Sequence, residues 1–143
     1  MAAIRNASAH WEGSLLEGAG QVTLTSSGLG TFDVTWAARS EEESGGLTSP
    51  EELLAAAHST CFSMALSHAL AQAGTPPTTI DTTAAVTFVA GTGITGVALA
   101  VEGVVPGITA DQFREAAENA RTGCPVSQAL KAVPITVEAT FVE

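Results

Sequence analysis

The stretch that decides the fold is residues 49–73, SPEELLAAAHSTCFSMALSHALAQA, because it predicts one long helix with a clear beginning and a clear end. Ser49 is a typical N-cap, Pro50 suits the first helical position, and Glu52 completes a capping box three residues after the cap. Gly74 ends the helix. Because the segment is apolar on almost every side, we expect a central helix that is covered on most of its faces.

Segments that alternate apolar and polar residues between glycines predict β-strands on both sides of this helix. Three strands precede it, one hairpin follows it and one strand closes the chain, at residues 10–13, 18–25, 31–36, 81–90, 94–105 and 134–142. Thr109 opens a second capped helix that ends at Gly123, and a short third helix runs from Cys124 to about Ala132. The order βββ-α-ββ-α-α-β predicts an α+β fold with antiparallel sheets packed around the long helix.

The composition indicates one domain, residues 1–143, with apolar surface left over for a partner. Hydrophobic residues make up 45% of the 143 residues and charged residues only 14%, so we expect a homodimer. The net charge of −10 argues against binding to nucleic acids and to anionic membranes. Polar residues within the long helix, such as His58, Ser63 and Gln72, favour a buried helix over a membrane span.

No apolar secretion segment follows Met1, so we expect a cytoplasmic protein in a reducing compartment. A transient disulfide is more plausible there than a permanent structural one. The sequence contains no Cys-x-x-Cys motif, and His10, His58 and His68 lack metal-ligand spacing. We therefore expect neither a metal site nor a bound cofactor.

The chain has only two cysteines, Cys61 and Cys124, and such a pair can cycle between a dithiol and a disulfide. Cys61 lies within the apolar helix, where it is either an inert core residue or a reactive thiol. Cys124 precedes Pro125 at a helix start, where free N–H groups favour a thiolate; it could equally be the N-cap of a tight turn. His58, one helical turn before Cys61, is either a thiolate-activating base or a core histidine.

Two charged residues complete the candidate set. Arg39, at the end of the third strand, could lower the pKa of a thiolate and bind a peroxide oxygen, or could pair with the acidic residues at 41–43. Glu51 lies in the first turn of the long helix, where it interacts with the helix dipole. Glu51 precedes Cys61 by ten helical residues, roughly 15 Å, so the two cannot touch within one continuous helix. A site that combines them needs a partner subunit or a break in the helix.

The segments described above together resemble the OsmC/Ohr family of thiol-dependent hydroperoxide reductases, and its OsmC branch most closely. The resemblance extends over nearly the whole chain, at residues 9–13, 48–53, 56–67, 80–84, 105–108 and 123–128. The two cysteine segments carry most of the specificity, because neither alone would identify the family.

The resemblance implies a peroxidase that acts on organic hydroperoxides better than on hydrogen peroxide. Cys61 would attack the distal peroxide oxygen and become a sulfenic acid, and Cys124 would condense with it to an internal disulfide. Arg39 would stabilise thiolate and peroxide, and Glu51 would orient Arg39. The resemblance also implies an intertwined homodimer with sites at the subunit interface, and an external dithiol reductant such as a dihydrolipoyl group.

Two other functions remain compatible with the residues. The chain could be a binding module whose apolar surface holds a lipid-like ligand, with both cysteines as core residues. It could also be a redox sensor that passes its disulfide to another protein.

Overall fold

The computed structural model describes residues 1–143 and confirms the predicted α+β fold, with one additional short helix. The strands are β1 (Ser8–Glu12), β2 (Ala19–Thr23), β3 (Thr31–Val34), β4 (Thr79–Val89), β5 (Gly93–Val104) and β6 (Ile135–Val142). The helices are α1 (Trp36–Ser40), α2 (Pro50–Gln72), α3 (Ala110–Gly123) and α4 (Pro125–Ala129). The chain forms two compact units, Met1–Glu51 and Glu52–Glu143, and the expectation of a single domain stays a prediction.

The first unit contains an antiparallel three-stranded sheet of β1, β2 and β3, followed by α1. Its strands bury none of their residues fully, and Trp11 and Phe32 remain 40% and 42% exposed. Glu51 is the one residue of this unit that is buried. Because only Glu51 is buried, this unit has no hydrophobic core of its own. A three-stranded sheet is normally stabilised by packing of its apolar face against another element.

The short helix α1 was not predicted, because residues 36–40 were expected to end a strand and enter a loop. Thr35 caps this helix by accepting a hydrogen bond from the Ala38 N–H at 3.1 Å. Arg39 therefore lies in the last turn of a helix and not at the end of a strand. A threonine followed by Trp-Ala-Ala-Arg was the available signal for this helix.

The second unit contains a mixed sheet in the order β4-β5-β6. The β4–β5 hairpin is antiparallel, as predicted, but β6 pairs with β5 in parallel, so the prediction of purely antiparallel sheets is wrong for this pair. The reason is the crossover through α3 and α4, which returns the chain to the starting end of β5 before β6 begins.

The core of the second unit lies between one face of this sheet and the helices. Alternate residues of β5 are buried, and so are Phe62, Leu66 and Leu70 of α2 and Phe113 of α3. The opposite face of β5 is exposed at every second residue, which is the period expected of a sheet covered on one side.

Helix α2 is continuous over 23 residues, as predicted, but its own chain buries only one stripe of it. The buried residues are Glu51, His58, Phe62, Leu66 and Leu70. Met64 is 67% exposed, so the expectation of cover on most faces is not met within one chain. By length and composition alone this helix could cross a bilayer, a property that it shares with core helices of soluble proteins.

The helix boundaries agree with the sequence signals in most places. Thr109 and Gln112 form the predicted capping box at the start of α3, with hydrogen bonds of 3.2 and 2.8 Å. Helix α4 is shorter than predicted and ends at Ala129. Cys124 lies between α3 and α4 as the C-cap of one and the N-cap of the other.

We predict that Gly103→Ala destabilises the protein by about 1–3 kcal/mol, because overpacking a filled core displaces its neighbours. A Cβ atom at Gly103 would lie 2.5 and 2.6 Å from two ring carbons of Phe113. The matched control is Gly123→Ala, since the added Cβ would meet no atom within 4 Å beyond its chain neighbours and the backbone of its own helix. Urea unfolding monitored by circular dichroism measures both variants, and an equal effect of the two would contradict the packing explanation.

Candidate dithiol site

The two cysteines, far apart in sequence, lie together in the second unit. Both are free thiols, and the thiol of Cys61 is hydrogen-bonded to the side chain of Cys124. Cys61 is partly exposed on α2, whereas Cys124 is fully buried, with 0% of its surface accessible. Of the two cysteines, only Cys61 therefore keeps accessible surface.

The pKa of the Cys61 thiol is raised, first by burial and then by the hydrogen bond and charge interaction with Cys124. The backbone N–H of Val126 in α4 acts in the opposite direction, because its hydrogen bond to the Cys61 sulfur favours the thiolate. The sequence suggested that the free N–H groups at this helix start would serve Cys124. Instead, Cys124 makes no side-chain capping hydrogen bond, and the amide of Val126 serves Cys61.

A second polar contact links the same two helices. The Nε2 atom of His58 lies 2.7 Å from the Oγ atom of Ser127, and both residues are buried. The Nδ1 atom of His58 has no hydrogen-bond partner. Burial lowers the pKa of His58, so the ring is neutral near pH 7. His58 is therefore a buried core residue that is hydrogen-bonded at only one of its two ring nitrogens.

The two contacts between α2 and α4 share one register. His58 precedes Cys61 by three residues on α2, and Ser127 follows Cys124 by three residues, so the two segments run in opposite directions across the contact. Ser127 was not singled out from the sequence. The available signal was this equal spacing of a histidine and a serine from the two cysteines.

The two charged candidates pair with each other in the first unit. The Arg39 guanidinium donates from Nε to Glu51 Oε1 and Oε2 at 3.1 and 3.2 Å, and from Nη2 to Oε1 at 2.8 Å. The side chain of Glu51 is 8% exposed and that of Arg39 is 32% exposed. A two-nitrogen pairing of this kind fixes the plane of the guanidinium. Glu51 is therefore an acidic partner of Arg39 within the folded chain.

No group of three or more His, Cys, Asp or Glu side chains lies together in a way that could hold a metal ion. The residues that the structure does bring together are a dithiol pair, a buried histidine–serine pair and an arginine–glutamate pair. Their chemistry is that of thiols and charges. The first two pairs belong to the second unit and the third to the first unit.

We predict that the free energy of unfolding falls as the pH drops below about 6.5, the pKa of an unfolded-state histidine. The folded-state pKa of His58 is lowered, so the unfolded state binds the proton first and gains stability from it. The stability that depends on a neutral His58 is complete above pH 6.5 and is lost as the pH falls towards the folded-state pKa. His58→Gln should remove this part of the pH dependence, whereas His68→Gln, at an exposed histidine of the same helix, should leave it unchanged. Urea unfolding from pH 5 to 8 provides the measurement.

Comparisons with known proteins agree with the fold and the motifs. Residues 42–138 match the family described as OsmC-like protein. The chain is 50% identical over 127 residues to Peroxiredoxin OsmC of Escherichia coli (strain K12), covering 87% of each chain. The organic hydroperoxide resistance protein OsmC from Legionella pneumophila has a TM-score of 0.67 at 23% identity and covers 99% of this chain and 100% of its own. The organic hydroperoxide resistance protein OhrB of Bacillus subtilis has a TM-score of 0.64 at 23% identity, over 96% of this chain and 98% of its own. The chain belongs to the OsmC-like family.

Proposed function

We propose that this protein is a thiol peroxidase that reduces organic hydroperoxides, and hydrogen peroxide less well, to the corresponding alcohols or water. The observation that carries the proposal is the contact between a partly exposed thiol, Cys61, and a fully buried one, Cys124. The 50% identity to a protein named Peroxiredoxin OsmC supports a redox reaction with peroxide.

The proposed reaction balances with one peroxide and one external dithiol. The Cys61 thiolate attacks the distal oxygen, the O–O bond breaks, and the alkoxide takes a proton to leave as the alcohol while Cys61 becomes a sulfenic acid. The Cys124 thiolate then attacks the Cys61 sulfur, forming the disulfide and releasing water. An external dithiol, such as a dihydrolipoyl group, reduces the disulfide by exchange and becomes oxidised itself. No bound cofactor takes part in this proposal.

The division of roles follows from exposure and from the Val126 amide. A peroxide that arrives from solvent can reach Cys61, but it cannot reach Cys124, which has no accessible surface. The N–H of Val126 favours the Cys61 thiolate, which is the form that attacks. In the proposed reaction Cys124 attacks only the oxidised Cys61. The two side chains are already in contact in the reduced protein.

The Cys61 thiolate needs more help than one amide supplies, because burial and Cys124 both raise the pKa of this thiol. We assign this role to Arg39, whose guanidinium is oriented by Glu51. A nearby guanidinium lowers the pKa of a thiol and can hold a peroxide oxygen.

We further propose that these charges act across a homodimer. Because α2 is continuous from Pro50 to Gln72, ten residues at 1.5 Å each place Glu51 roughly 15 Å along the helix from Cys61. The Arg39–Glu51 pair of one subunit would then serve Cys61 of the partner subunit. The expected reaction site would thus lie at a subunit interface.

Exposed apolar surface supports this assembly. The first unit buries a single residue and exposes Trp11 and Phe32, and α2 exposes Met64. A partner subunit that covers these side chains would remove their apolar surface from water. The apolar core residues against which Cys61 packs would favour the alkyl group of an organic hydroperoxide over hydrogen peroxide.

We predict that Cys61→Ser abolishes peroxide turnover, because the attacking sulfur is gone. Cys124→Ser should consume one equivalent of cumene hydroperoxide and then stop, with a sulfenic acid on Cys61 that dimedone labelling and mass spectrometry detect. Normal turnover by Cys61→Ser would exclude the proposed peroxidase. Wild-type protein that loses no thiol on peroxide addition would indicate the apolar-ligand module instead. A slow peroxide reaction, together with a mixed disulfide to another protein trapped by Cys124→Ser, would indicate the sensor.

We predict that mixed dimers of Arg39→Ala and Cys61→Ser subunits recover about half of the wild-type activity, although each variant alone is impaired. In such a dimer, intact Arg39 and intact Cys61 meet at one of the two sites if they come from different subunits. Sites built within one subunit would give no recovery, and a monomer in light scattering would exclude the shared site altogether. Differently tagged, co-expressed subunits allow the mixed dimer to be purified and assayed.

A further inference from the structure

The buried hydrogen bond between His58 and Ser127 has no part in the proposed reaction, yet it lies one helical turn from the dithiol. Its length is 2.7 Å, and the two residues are 0% and 3% exposed. Apolar side chains fill the surrounding core, including Phe62, which follows Cys61 directly.

Stability alone does not explain this pair. A buried hydrogen bond between neutral groups contributes only about 1 kcal/mol, and apolar residues of similar shape can do as well. His58 also leaves its Nδ1 atom without a partner, which costs part of that gain. A buried polar contact with so small a net gain in stability points to a requirement for geometry, since hydrogen bonds fix distance and direction whereas apolar contacts tolerate sliding.

The element that needs fixing is α4. It is five residues long, and Ser127 is its one buried residue. A single helical turn and a half has almost no intrinsic stability, so its position depends on its tertiary contacts. The bond to His58 of the long helix α2 is such a contact, and it is directional.

The consequence reaches Cys61 through the shared register of the two helices. His58 and Cys61 are one turn apart on α2. Cys124 and Val126 are close to Ser127 along the chain, so a shift or rotation of α4 that breaks the Ser127 bond also displaces Cys124 and the Val126 amide. These two groups, one at the N-cap of α4 and one in its first turn, contact the Cys61 sulfur.

We propose that His58 and Ser127 are a positioning pair that holds α4 on α2, so that Cys124 and the Val126 N–H stay in contact with the Cys61 sulfur. The inference rests on the proposed function only in taking Cys61 as the attacking thiol. The positioning itself is a property of the dithiol and can be measured without peroxide.

Hydrogen-bond chemistry defines the variants. A neutral His58 places its proton best on Nε2, donating to Ser127 Oγ, because an unpaired buried lone pair costs less than an unpaired buried N–H. His58→Gln keeps an N–H donor in a similar position, and His58→Met removes it. Ser127→Ala removes the acceptor. The control is Ser63→Ala, which removes the 2.7 Å hydrogen bond from α2 to Thr82 of β4 and leaves α4 untouched.

The first readout is the equilibrium of the reduced protein with oxidised glutathione, in which one oxidised glutathione and the protein dithiol give the protein disulfide and two reduced glutathiones. In Ser127→Ala and His58→Met we expect the equilibrium constant for disulfide formation to fall about tenfold, roughly 30 mV for two electrons. The second readout is the pH dependence of Cys61 alkylation in a Cys124→Ser background, where the midpoint should rise by about one pH unit in the same variants. His58→Gln and Ser63→Ala should match their parent proteins in both.

A folded Ser127→Ala protein with both readouts unchanged would overturn the proposal, and so would a loss of unfolding free energy without a redox effect.

If Ser127→Ala fails to fold, Ser127→Thr and Ser127→Val replace it, since they share one shape and only threonine keeps the hydroxyl. In the double variant His58→Met, Ser127→Ala the two redox effects should not add, because either change alone breaks the hydrogen bond. Full additivity of the two effects would contradict the positioning pair. A wild type that consumes no peroxide would defeat the proposed peroxidase, while a redox shift in Ser127→Ala would still support the positioning pair.

Discussion

The constraint on which the rest of the structure depends is that helix α2 is apolar on nearly all faces, while its own chain buries only one stripe. Elements of the second unit cover Phe62, Leu66 and Leu70, but Met64 stays largely exposed. A helix that is apolar on most sides is normally buried on most sides, so the exposed part of α2 is the surface that the proposed homodimer would cover. The first unit has the same property, because no residue of its three strands is fully buried. Such a sheet is normally stabilised by packing against another surface.

The buried side chains of α2 are polar in the N-terminal half of the helix and apolar in the C-terminal half. Its N-terminal half carries Glu51 and His58, each with a hydrogen-bond partner, and its C-terminal half carries only apolar residues. Cys61 lies beside this stripe at the change from polar to apolar, where it is partly exposed. The same helix therefore supplies a core at one end and polar, chemically active groups at the other. Cys61 at this boundary keeps part of its surface accessible, whereas Phe62, Leu66 and Leu70 are buried.

The features that sequence could predict are those encoded locally. The capping box at Thr109, the alternation in β4 and β5 and the proline at the start of α2 each specify their element within a few residues. The parallel pairing of β6 could not be read in this way, because it depends on the path of the whole crossover. Ser127 was missed for the same reason, since its partner lies 69 positions away. Arg39 was identified as a candidate, but its helix and its pairing with Glu51 required the fold.

The two cysteines show how tertiary contacts can reverse an electrostatic argument based on sequence. By position Cys124 is at a helix start, which favours a thiolate, and Cys61 is inside an apolar helix, which disfavours one. In the folded chain the free N–H of Val126 points to the Cys61 sulfur, while Cys124 is sealed from solvent and makes no capping bond. The helix start thus stabilises negative charge on the sulfur of Cys61, the partly exposed cysteine of the pair. Burial still raises the pKa of Cys61, so one amide is not enough, and a positive charge such as the guanidinium of Arg39 is what the proposed reaction requires in addition.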